Sequence, residues 1–278
     1  YGLTWMAYRP IHETECCIGN LHRYMPNYVA RMWLKDKKGH PVAALYGPSS
    51  VVYDLGEGVT VKIDEITQYP FEEQVKFKFT FFKDGKRSAD SHQMDFTYRI
   101  PGWCKAAESG FHTESKEWKS GEVFTVRLPM QIEVVDAPVQ GKCIQRGPIV
   151  YSYAIPANWV EDTKIYDNLA GKVSANPDFK SWELTPAGKW NYALVENMLR
   201  GLRVQRTGNS GFPFDPESVP LKIRVPVKGV KDWTLKEDRF TPALPETVVP
   251  EGEQVEFIEL VPYGSTTLRL TTFPTIKE

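Results

Sequence analysis

The stretch Val75-Lys76-Phe77-Lys78-Phe79-Thr80-Phe81-Phe82 alternates apolar and polar side chains for six residues before its closing pair of phenylalanines. A period of two puts Val75, Phe77, Phe79 and Phe81 on one face and Lys76, Lys78 and Thr80 on the other. A helix would scatter those rings around its circumference. The stretch therefore reads as a strand with one dry and one wet face, as in an antiparallel sheet.

Similar short runs flank it: Val42–Tyr46, Val59–Ile63, Met94–Ile100 and Val123–Leu128, bounded by Gly, Pro, Asp and Asn, with Gly47-Pro48 and Asp84-Gly85 as turns. This spacing predicts a β-sandwich of roughly 100 residues. Near Asp136-Ala137-Pro138 a second β-rich region opens. It holds a strand pair over Cys143–Tyr153 around Gly147-Pro148, a strand near Trp190–Leu194, and closing strands Leu221–Val225, Val255–Val261 and Thr266–Thr272. Pro262-Tyr263-Gly264 turns between the last two, and the loop-rich stretch 156–220 is longer than an inert connection should be.

Upstream of the strands lies one helical pattern, from Asn20 to Lys35. Leu21, Tyr24, Tyr28 and Met32 recur near a period of 3.6, with Met25, Val29 and Trp33 alongside. Asn20 is the expected N-cap, Pro26 a kink or first-turn residue, and Lys35-Asp36-Lys37-Lys38-Gly39 the stop. So broad an aromatic surface predicts a helix buried on more than one side.

The 278 residues fit two compact units of roughly 100–150 residues each. With 34 basic and 35 acidic residues the net charge is −1, which argues against a nucleic-acid footprint. No apolar run approaches the roughly 20 residues of a membrane span. Four cysteines are too few for a disulfide scaffold and leave the compartment open. The opening Tyr1-Gly2-Leu3-Thr4-Trp5-Met6 reads as the interior of a larger protein, whose targeting signals would lie elsewhere.

Chemistry concentrates at Glu15-Cys16-Cys17-Ile18-Gly19-Asn20-Leu21-His22-Arg23. Adjacent cysteines make a strained disulfide, but both sulfurs can face one metal ion, and amides at a helix start stabilise a thiolate. Two readings stand at this point: a metal or redox site, or two packed thiols. A tetrahedral site would need two more ligands, from Glu15, from His12 or His22, or from elsewhere. His40, His92 and His112 have no partner in sequence and read as structural. Of the tryptophans Trp103, Trp118, Trp159, Trp182, Trp190 and Trp233, most read as core, with Trp159 and Trp182 as the candidates for stacking on a sugar.

The pattern Cys16-Cys17-x-x-Asn20-x-x-Arg23 ahead of β-sandwiches resembles glycoside hydrolase families 127 and 146, the cysteine-dependent β-L-arabinofuranosidases. Arg99-Ile100-Pro101-Gly102-Trp103-Cys104, Leu128-Pro129-Met130, Gln145-Arg146-Gly147-Pro148-Ile149-Val150-Tyr151 and Pro262-Tyr263-Gly264 resemble further motifs of the family, in its order. The resemblance covers nearly the whole chain. The chain departs from many members in having Ile18-Gly19 where they carry Pro-Pro, and Glu15 before the pair, which suggests a divergent branch.

The resemblance implies a mainly β chain: two antiparallel β-sandwich domains preceded by the last helix of an α/α six-hairpin barrel. Residues 1–37 would end the barrel, 38–137 form the middle sandwich and 138–278 the C-terminal one. It further implies a retaining glycosidase with Cys16 as nucleophile and Cys17 as zinc ligand, Cys16 lying within reach of the same metal. Glu15, Asn20, His22 and Arg23 would support the site. The acid/base glutamate and the remaining zinc ligands would come from the upstream barrel, so the chain alone is expected to be inactive. The partners implied are an oligosaccharide or glycan substrate and that barrel, with a homodimer admitted and neither nucleic acid nor membrane involved. A periplasmic or extracellular site would suit a bacterial glycan-degrading enzyme. The competing reading is a non-catalytic carbohydrate-binding or scaffold module with an inert cysteine pair.

Overall fold

The computed structural model describes residues 18–161, 182–208, 211–235 and 242–277, the first five of them by backbone alone. This chain is mainly β, as its patterning predicts, with one α-helix among the described residues. It divides between Gln131 and Ile132 into two units.

The first unit opens with α1 (Ile18–Ala30) and continues with β1 (Trp33–Lys35), β2 (Pro41–Ala43), β3 (Ser49–Gly56), β4 (Val59–Thr67), β5 (Gln74–Lys83), β6 (Lys86–Arg87), β7 (Ser91–Ile100), β8 (Gly110–Lys119) and β9 (Val123–Arg127). One sheet has the order β1-β2-β7-β8; the other runs β3-β4-β5-β6, with β9 also on β5. The alternating stretch of β5 behaves as its period requires. Val75, Phe77, Phe79 and Phe81 are fully buried, while Lys76 and Lys78 are exposed. Their partners in the core are Met94, Phe96 and Trp118 of the other sheet. Ring centroids lie 4.9 Å apart for Phe77–Phe96 and 4.3 Å for Phe79–Trp118. The Trp118 indole N–H donates to the Met94 carbonyl at 2.9 Å, so this buried ring leaves no polar atom unpaired. Each such phenylalanine contributes roughly 1.5–3 kcal/mol by burial.

The two long strands that the patterning misses, β3 and β8, each lie at the edge of a sheet. An edge strand buries less and tolerates polar residues on both faces. Accordingly Phe111–Glu117 of β8 is intermediate or exposed throughout. The helix is also shorter than its pattern suggests. α1 ends at Ala30, the N–H groups of Arg31 and Met32 bond three residues back, and Trp33–Lys35 becomes an edge strand. Lys35–Gly39, expected as a helix stop, is instead the link from β1 to β2. Asp36 Oδ1 accepts the N–H groups of Lys38 and His40, both at 2.8 Å, and Gly39 takes a φ of +88°.

The second unit contains β10 (Ile132–Asp136), β11 (Lys142–Arg146), β12 (Ile149–Ala154), β13 (Ala157–Glu161), β14 (Trp182–Pro186), β15 (Tyr192–Val195), β16 (Val204–Arg206), β17 (Leu221–Gly229), β18 (Glu256–Pro262), β19 (Arg269–Leu270) and β20 (Thr275–Ile276). Nine of these form one hydrogen-bonded sheet in the order β10-β11-β12-β18-β17-β15-β20, with β16 on β17 and β19 on β12; β13 and β14 form a separate hairpin. β17, flanked on both edges, buries Leu221, Ile223, Val225 and Val227 almost completely. The Pro262-Tyr263-Gly264 turn requires its glycine, since a Cβ there would stand 2.7 Å from the Phe214 ring.

Candidate functional site

The element that would carry the chemistry is α1, and hydrogen bonds tie its C-terminal end to the first sandwich. Pro26 lies inside the helix and has no N–H to give. Around it, Asn27 Nδ2 donates to the Arg23 carbonyl at 2.9 Å and Arg31 Nη1 to Asn27 Oδ1 at 2.7 Å. Tyr28 then reaches across, its hydroxyl donating to the Tyr46 carbonyl at 2.9 Å. The Tyr46 hydroxyl in turn donates to the Arg99 carbonyl and accepts the Arg99 N–H at 3.0 Å. Arg99 Nη1 closes the loop onto the Ala44 carbonyl at 3.3 Å. The Arg99–Cys104 motif is thus a clamp on the segment that receives the helix, and Cys104 is a buried core thiol.

Glu65 sits at the same junction. It is 3% exposed and accepts the Gly47 N–H and the Ser49 hydroxyl, each at 3.0 Å. Ser49 also accepts the Trp33 indole N–H at 3.0 Å. Burial outweighs the two donors and pushes the Glu65 carboxyl up to about 7. Burial likewise raises the Tyr46 phenol, and takes Tyr69, which accepts from Trp103, to about 12.

The outer side of α1 is bare. Tyr24, Met25 and Val29 are 59–67% exposed in this chain, contrary to the buried helix that the aromatic pattern predicts. Glu15, Cys16 and Cys17, with His12, lie outside the described residues. Asn20 and His22 fall on α1 by backbone, and Arg23 is exposed on it.

Sequence reasoning passed over one constellation. His40 gains two partners from the fold: its Nδ1 lies 3.3 Å from Asp95 Oδ2 and 3.8 Å from Asp36 Oδ2. The only signal in sequence was the Asp36–His40 spacing, since Asp95 is brought in by the parallel pairing of β2 with β7. In the second unit, Trp159 is 47% exposed on β13 and its ring meets that of Trp182 edge-on at 6.0 Å. Trp118 and Trp233 are core residues.

With this geometry in hand, the family model described as the GH127 middle domain of beta-L-arabinofuranosidase matches residues 42–130. These are the strands from β2 to β9. Over these strands the chain is similar to the GH127 middle domain. Solved structures agree on the fold. A GH127 beta-L-arabinofuranosidase from Geobacillus stearothermophilus T6 superposes with a TM-score of 0.58 at 17% identity, covering 95% of this chain and 37% of that one. A protein titled a glycoside hydrolase gives 0.62 at 15% identity over 96% of this chain and 40% of that one. The GH127 beta-arabinofuranosidase BT3674 gives 0.61 at 14% identity over 98% and 40%. The chain thus spans about two fifths of the length of these structures. A comparison with curated proteins found no match.

Proposed function

We propose that this chain is the C-terminal portion of a retaining glycoside hydrolase acting on β-L-arabinofuranosyl or related plant-type glycan linkages. The observation that carries the reading is the GH127-type middle domain over residues 42–130, with α1 anchored to it through Tyr28 and Tyr46. That helix begins one residue after the Cys16-Cys17 pair. In this reading α1 is the last helix of an α/α barrel, residues 38–137 and 138–278 are the two sandwiches, and the bare face at Tyr24, Met25 and Val29 packs against upstream helices.

Cys16 would attack the anomeric carbon as a thiolate while a carboxylic acid from the upstream barrel protonates the departing oxygen. Water then displaces the sulfur, the same carboxylate now taking its proton, so that the configuration is retained. Cys16 and Cys17 offer soft donors that suit zinc, although two sulfurs are half of a tetrahedral shell. Zinc, when bound, would lower the thiol pKa and keep Cys16 ionised. Glu15, Asn20, His22 and Arg23 would orient the pair and the sugar.

The test is sugar release from an aryl β-L-arabinofuranoside by the enzyme that includes the residues before Tyr1. Activity lost in Cys16→Ser with one zinc per chain supports the reading; activity that survives the substitution overturns it. Release by the 278-residue chain alone would overturn the division of the active site between this chain and the barrel. A second reading, a non-catalytic carbohydrate-binding module, draws on the exposed Trp159 beside Trp182. It requires glycan binding that survives replacement of both cysteines and is lost in Trp159→Ala.

A further inference from the structure

We propose that Asp36, His40 and Asp95 form a binding site for a divalent transition-metal ion of the zinc class on the β1-β2-β7 side of the first unit. It shares no residue with the cysteine pair and does not rest on the glycosidase reading.

The site is assembled by backbone register. β2 and β7 run parallel with Val42 opposite Thr97, so the positions two residues earlier, His40 and Asp95, come side by side. Asp36 is brought in by the β1–β2 link, where its N–H also bonds the His40 carbonyl at 3.0 Å. One ligand atom from each side chain lies within 4.8 Å of the other two. The separations from His40 Nδ1, 3.3 and 3.8 Å, are close to the spacing of neighbouring ligands in a zinc tetrahedron. Bonds of about 2.0–2.1 Å place neighbouring ligands about 3.3 Å apart.

Both carboxylates are oriented by their other oxygen. Asp36 Oδ1 is taken by the Lys38 and His40 N–H groups, and Asp95 Oδ1 by the Ser115 hydroxyl. Each therefore turns Oδ2 toward the imidazole, the arrangement in which outer hydrogen bonds fix inner ligands. His40 Nδ1 is itself buried and makes no hydrogen bond among the described residues. In the tautomer protonated at Nε2, the Nδ1 lone pair faces two anionic oxygens and is repelled by both. A dication would bind all three, and two carboxylates would balance its charge. Among the described residues the Lys38 ammonium competes for this position, 3.1 Å from Asp95 Oδ2 on a side chain 72% exposed. A proton on Nδ1, in the neutral tautomer or the imidazolium, would also relieve the repulsion, and the test separates it from a metal.

The experiment is a Zn2+ titration of the Cys16→Ser/Cys17→Ser chain by calorimetry, with the 15N shift of His40 Nδ1 followed by NMR. One saturable site is expected, with a displaced Nδ1 resonance. Affinity should fall at least tenfold in His40→Gln and Asp95→Asn, fall about tenfold in Ser115→Ala, and rise in Lys38→Ala. Zinc should also raise the melting temperature of the background protein but not of its His40→Gln form. No saturable binding at 1 mM Zn2+, or binding that leaves the His40 resonance in place, overturns the site and assigns the gap to a proton. The resonance measurement decides even where a ligand variant fails to fold.

Discussion

At the scale of single residues, Glu65 is the most consequential side chain outside the cysteine pair. Its carboxyl is raised from 4.5 to about 7 by burial. The folded state thus holds this proton more tightly than the unfolded chain does. The resulting stabilisation is fully present below pH 4.5 and is lost as the pH rises through 7. At about 1.4 kcal/mol per pH unit, the interval amounts to on the order of 3 kcal/mol. Glu65→Gln keeps an acceptor for the Gly47 N–H and removes the charge. We expect it to match the parent within about 1 kcal/mol near pH 5 and to exceed it at pH 8. Denaturant unfolding at the two pH values checks this, and an equal pH slope in both proteins would refute it. The sequence reading passed over Glu65, although it continues the buried phase of Val61 and Ile63 on β4, where a carboxylate is out of place; the Gly47–Ser49 segment supplies its two donors. His40, with only Asp36 near it in sequence, acquires Asp95 through strand pairing.

Among the elements, β5 and α1 behave in opposite ways. β5 was legible because it sits mid-sheet, where one face is wholly dry, so its period of two survives intact in composition. Phe79→Ala should cost about 3–5 kcal/mol, read as a lowered denaturant midpoint with unchanged slope, because its ring is enclosed by Phe96 and Trp118. β3 and β8 escaped notice as edge strands with little burial to pattern. α1 had the right period but the wrong end. Its apolar stripe runs on through Met32 and Trp33, yet the chain turns after Ala30 because Trp33–Lys35 pairs with β2 and the Met32 carbonyl accepts two N–H groups, from Ala44 and Leu45. The hold on the helix is polar. Tyr28→Phe should therefore cost only about 0.5–1.5 kcal/mol globally, while amide exchange in α1 rises well above that in β5. Equal exchange changes in both elements would show that Tyr28 is not a local anchor.

For the whole molecule, the prediction concerns where the active site is completed. If the proposed reading holds, the protein with its upstream residues should lose at least a thousandfold of kcat/KM in Cys16→Ser, and a chelator should reduce activity and slow thiol labelling together. A thiol that labels at the same rate with and without metal would separate Cys16 from any zinc. The sequence by itself determined the β class, the strand-rich division into two regions and the resemblance to family 127, since alternation and short ordered motifs are local and survive as text. Two of those motifs serve as scaffold: Arg99 clamps the segment that receives α1, and Gly264 makes room for Phe214. What only the tertiary structure decided is which polar groups meet. Glu65 with Gly47, and Asp36 and His40 with Asp95, lie up to 59 residues apart and are joined by strand register and chain crossing. No periodicity encodes such pairs. Their chemistry arises from burial and from donors supplied by distant backbone.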